Sequence, residues 1–116
     1  MADQLQHLSE LAGMVFDKDM AALRAGKEQE DILTNEVNAL RAKRSSAGIC
    51  ETGAWDRNPI LAEKFRNWCD SSIIALNQEL SRTRAHNEEL LRLARRSFGR
   101  QHALSEVRLQ INQTDK

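Results

Sequence analysis

Tyrosine is absent, and the 116 residues hold only two tryptophans and three phenylalanines. Proline occurs once and glycine five times. Few aromatics and few turn-forming residues argue against a β-sandwich or a doubly wound sheet. Long apolar runs are missing too: no stretch approaches the roughly 18 consecutive apolar residues that a membrane span requires. The opening MADQLQHLSELAGMVFD carries acids and lacks a continuous apolar core, so no secretory signal is expected. Cys50 and Cys69 are the only cysteines and show no CxxC spacing. That excludes a disulfide framework and a zinc site and points to a reducing compartment, the cytoplasm. Seventeen basic and seventeen acidic side chains cancel, which removes the bulk-charge argument for nucleic acid or an anionic membrane.

What is present is helix-forming: Leu, Ala, Glu, Arg and Gln dominate, and the length suits a single domain. A first segment, about 3–44, has no proline. Steps of three and four from Leu5 meet Ser9, Ala12, Phe16, Asp19, Leu23, Gly26, Glu30, Leu33, Val37, Leu40 and Arg44. Seven of these twelve are apolar, and most of the exceptions cluster between Asp19 and Glu30, a heptad-like seam with a weak middle. Leu8, Leu11 and Val15 form a second apolar line, which calls for more than one neighbour near the N-terminus.

Residues 45–58 break the pattern. This stretch holds two glycines and the hydrogen-bonding side chains that favour turns, and Asn58-Pro59 reads as an N-cap followed by proline at the first helical position. A second helix is expected over about 59–113. The same walk from Leu61 meets Phe65, Trp68, Ser72, Leu76, then Glu79 or Leu80, Thr83, Asn87, Leu90, Ala94, Ser97, Gln101, Leu104, Arg108 and Ile111. The fold expected is all-α, residues 1–116 forming one antiparallel coiled-coil hairpin of two long helices. Each helix buries one narrow stripe, so leftover apolar residues call for a partner or a second copy.

No constellation for catalysis emerges. His7, His86 and His102 are scattered without metal-ligand clustering, and adjacent Glu88 and Glu89 cannot act as a paired acid and base. Glu88 is expected to pair with Arg92, four residues on. The AGICETGA stretch has neither the lysine nor the strand of a phosphate loop and reads as a turn. No enzyme activity, cofactor, metal or small-molecule substrate is expected.

Charge is distributed unevenly. Residues 1–55 carry nine acids and six bases, residues 56–116 eight acids and eleven bases. Arg92, Arg96 and Arg100 recur every four residues, with Arg95 alongside. Such a strip suits carboxylates on a protein partner, or it is a solvated helix face rich in good helix formers. Nucleic acid fits less well, since the whole chain is neutral. Phe65, Trp68 and Trp55 gather three of the five aromatics at the closed end of the hairpin, as packing against Val37 and Leu40 or as an exposed anchor. Gly99 sits within a helix at a cost of about 0.8–1 kcal/mol relative to alanine, which a long surface helix tolerates and which also fits a close approach of another chain.

The stretch FRNWCDSSIIALNQELSRTRAHNEELLRLARRSFGRQHALSEV resembles the second helix of the FliJ/YscO-type stalk proteins of flagellar and type III secretion export. The shared features are an aromatic start, a long polar heptad helix and an arginine-bearing Ser97-Phe98-Gly99-Arg100 segment. LSELAGMVFDKDMAALRA resembles the opening motif of that family. The resemblance implies a non-enzymatic antiparallel coiled coil that inserts into a hexameric export ATPase, promotes its assembly, touches an export-gate membrane protein and handles export chaperones. It places the gate contact at Phe65, Trp68, Ser72, Ala75 and Glu79; Trp68 and Ala75 match the family in character, Ser72 and Glu79 depart from it. It places the ATPase contact at Arg92, Arg95, Arg96 and Arg100. A monomer or weak homodimer without membrane insertion is expected. The alternative is a dimeric helical scaffold or chaperone forming a four-helix bundle, with a nucleic-acid-binding hairpin behind it.

Overall fold

A computed structural model of the chain describes residues 2–47 and 58–114. They form two helices, α1 (Ala2–Ser46) and α2 (Pro59–Thr114). Local chemistry sets the ends. Lys43 and Arg44 occupy the last turn of α1, where cations favour the negative end of the helix dipole. The Ser46 hydroxyl donates to the Lys43 carbonyl at 3.0 Å, satisfying one of the terminal acceptors. At the start of α2, Asn58 Oδ1 accepts from the Leu61 amide at 3.2 Å, the N-cap expected ahead of Pro59. Trp55 and Cys50, both singled out in the sequence, lie outside the described residues.

The helices pack against each other antiparallel: Asp19 meets Ser97, Gly26 meets Asn87, Glu30 meets Arg84, and Arg44 meets Asp70. The inward residues repeat every seven along both helices, the coiled-coil period. On α1 they are Leu5, Ala12, Asp19, Gly26, Leu33, Leu40 and Ala47, with Ser9, Phe16, Leu23, Glu30 and Val37 beside them. On α2 they are Ala62, Cys69, Leu76, Thr83, Leu90, Ser97, Leu104 and Ile111, with Arg66, Ile73, Leu80, Asn87, Ala94 and Gln101.

The contacts divide into two units. Glu28–Ala85 form one, and its buried residues are Leu33, Val37, Ala47, Ala62, Cys69 and Leu80, all apolar. Burying a side chain of leucine or valine size contributes about 1.5–3 kcal/mol. The other unit, Met1–Lys27 with His86–Lys116, buries Asn87, Ala94 and Ser97 among its described residues. Its seam is therefore thinner and more polar.

Two expectations are corrected here. The seam of α2 does not begin through Leu61 and Trp68, which are 45 % and 57 % exposed; it passes one residue further on, through Ala62 and Cys69. Small seam residues let the backbones approach, whereas an indole in the seam would hold the helix axes apart. Arg108 is likewise exposed rather than inward. The polar positions of α1, in turn, are not gaps in its stripe. Asp19, Gly26 and Glu30 face α2 and meet polar partners there.

Candidate partner-binding surfaces

Residues Phe65, Trp68, Ser72, Ala75 and Glu79, spaced by three and four, share one flank of α2. Trp68, Ala75 and Glu79 are exposed, and Phe65 and Ser72 are half-buried. The Phe65 and Trp68 rings stack with centroids 6.0 Å apart and planes at 26°. This local pairing presents the indole to solvent as a flat apolar surface. Nearby, the Arg44 guanidinium donates to both carboxylate oxygens of Asp70, at 2.5 and 3.3 Å, and that contact holds its pKa above the ordinary arginine value. Further along, Arg84 donates to Glu30 at 3.0 Å.

In the chain-end unit, Arg92, Arg95, Arg96 and Arg100 all lie exposed on α2. Arg92 is engaged with Glu89, Nη2 to Oε1 at 2.6 Å, and not with Glu88 as the four-residue spacing suggests. Its guanidinium makes a second bond through Nε, at 3.0 Å to Oε2. Hydrogen bonding first, then charge, lowers the Glu89 pKa and raises that of Arg92. Arg95, Arg96 and Arg100 have no carboxylate within ion-pair distance among the described residues. His102 approaches Glu106 at 3.8 Å, a carboxylate one turn on that spacing alone should have flagged. No cluster of three metal-ligating side chains occurs among the described residues.

The same unit carries a surface that the sequence half revealed. Leu8, Leu11 and Val15 are each about half exposed. With Ala12 from α1 and Ser97, Arg100, Ala103 and Leu104 from α2 they line an open groove of about 460 Å³. Spacing of three and four marks the α1 wall, and on α2 it marks Ser97 and Leu104 as stripe residues and Arg100 as part of the arginine strip; only Ala103 carries no signal, and that these residues together wall a groove is not readable from either helix alone. On α2, Phe98 packs at 5.8 Å from Phe16 and at 6.2 Å from His102.

Between the helices the polar contacts are specific. Asn87 Nδ2 donates to the Gly26 carbonyl at 2.9 Å. The buried Ser97 hydroxyl lies against the Asp19 carboxylate and the Leu93 carbonyl. Spacing puts Gly26 and Asn87 on the stripes of their own helices, but nothing local pairs residues 61 positions apart.

No described helix is long and apolar enough to cross a membrane. Compared with protein-family models, curated proteins and solved structures, the chain matches none.

Proposed function

We propose that this chain is a non-enzymatic coiled-coil stalk and adaptor of a flagellar or type III export ATPase. The observation that carries the reading is the antiparallel helix pair whose narrow seam leaves the arginine strip exposed where the start of α1 meets the end of α2. Arg95, Arg96 and Arg100 are available there to carboxylates of the ATPase, with Arg92 beside them. The exposed Trp68, stacked on Phe65 and flanked by Ser72, Ala75 and Glu79, is the proposed seat of the export-gate protein. Large rings with apolar neighbours are common binding anchors. Export chaperones are further proposed partners.

The test is light scattering of the purified chain, alone and mixed with the export ATPase of the same organism. A monomer of about 13 kDa that drives the ATPase into hexamers and raises hydrolysis is the expected result. Arg96→Glu combined with Arg100→Glu should abolish that stimulation. A tight dimer that ignores the ATPase would favour the second reading, a dimeric scaffold, which draws on the half-exposed leucines of α1.

A further inference from the structure

We propose that the groove between α1 and α2 in the chain-end unit seats one helix of a partner protein, an amphipathic helix with an apolar ridge and an acidic flank. The inference deepens the adaptor reading and rests on it.

The secondary structure of the occupant follows from the walls. Both are helices whose backbone amides and carbonyls are already bonded internally, so they offer nothing to an extended strand. Only a segment that satisfies its own backbone can lie there without unpaired polar groups. The walls run antiparallel, and Leu8, Leu11 and Val15 repeat at three and four along one of them. Small Ala12 and Ala103 let a third helix come close, as small seam residues do in helix packing.

The charge of the occupant follows from the rim. Arg100 lines the groove and Arg96, one turn earlier, is exposed; neither has a carboxylate partner among the described residues. On the groove side of α1 a second copy of this face offers only Asp19, and that carboxylate is already engaged by the Ser97 hydroxyl. The other acids of the facing stretch of α1, Asp3, Glu10 and Asp17, stand seven apart and so form one line. At about 100° per residue that line lies about 130° around the helix from Leu8, Leu11 and Val15. Self-association through the groove would therefore bring arginine towards arginine, whereas an acidic flank pairs both.

The test uses the full chain and two labelled model peptides of about five turns (~18 residues), each with the same leucine ridge, one flanked by glutamate and one by lysine. Fluorescence anisotropy should show the acidic peptide binding at least about tenfold more tightly. Leu11→Asp should abolish binding, and Leu109→Asp, at an exposed site outside the groove, should leave it intact. Arg96→Glu with Arg100→Glu should reverse the preference. Equal binding of both peptides, or binding of neither, overturns the proposal. So does a dimer in sedimentation equilibrium that Leu11→Asp dissolves. ATPase stimulation, measured on the same proteins, separates the two readings: peptide discrimination without stimulation retains the groove and removes the ATPase. Stimulation without peptide discrimination removes the groove and retains the stalk.

Discussion

The Asn87 carboxamide fills the space in which a side chain at Gly26 would have to stand. Its Nδ2 donates to the Gly26 carbonyl at 2.9 Å. A Cβ placed on Gly26 would overlap Asn87 Oδ1 and lie 3.3 Å from Leu90 Cδ1. Moving α2 one heptad either way would set Asn87 against Asp19 or Leu33 instead, neither of which leaves that space. A buried polar group of this kind ties the helices to one register.

Two glycine substitutions should therefore have opposite signs. Gly26→Ala should destabilise by about 1–3 kcal/mol, the usual cost of forcing atoms into a filled seam. Gly99 has nothing within 4 Å of where its Cβ would stand, so Gly99→Ala should stabilise by about 0.5–1 kcal/mol through helix propensity alone. Urea denaturation reads both. A neutral Gly26→Ala would remove the account of the Asn87 contact.

Coupling between the two residues is a separate expectation. Asn87→Ala removes the hydrogen bond, at a net cost of about 0.5–1.5 kcal/mol, and also removes the obstruction. Gly26→Ala should then cost less in the Asn87→Ala background than alone, by about 0.5–3 kcal/mol. A double-mutant cycle in urea measures the difference, and strict additivity would contradict direct contact.

The contrast between Leu33 and Trp68 tests the phase of the stripe. Leu33 is 2 % exposed, and Leu33→Ala should cost about 2–5 kcal/mol. Trp68→Ala should leave far-UV circular dichroism and the urea midpoint nearly unchanged while weakening partner binding. A loss of helix on removing Trp68 would place the indole in the seam after all.

The Glu89–Arg92 pair predicts a pH effect. Hydrogen bonding to Arg92 makes Glu89 more acidic in the folded helix than in the unfolded chain. Its contribution is thus complete above the ordinary carboxylate range and lost as pH falls through the lowered folded value. Both side chains are exposed, so the effect is small and should fade in high salt. NMR titration of the Glu89 carboxyl should show a depressed midpoint that Arg92→Ala returns upward.

Much of this protein follows from local rules. Scarce proline, the Asn58-Pro59 cap and recurring apolar residues predict two helices, and the observed ends fall within two residues of those expected. The seam of α1 from Leu5 to Leu40 and that of α2 from Leu76 to Leu104 keep a seven-residue period readable without coordinates. The beginning of α2 misleads because Leu61 and Trp68 outweigh Ala62 and Cys69 in any count of apolar residues. The choice between two adjacent faces rests on how closely two backbones can approach, which neither helix encodes alone. The polar pairs Gly26–Asn87, Asp19–Ser97 and Glu30–Arg84 likewise needed the folded chain, as did the meeting of the two groove walls. Each joins residues more than fifty positions apart, and only the antiparallel register brings them together.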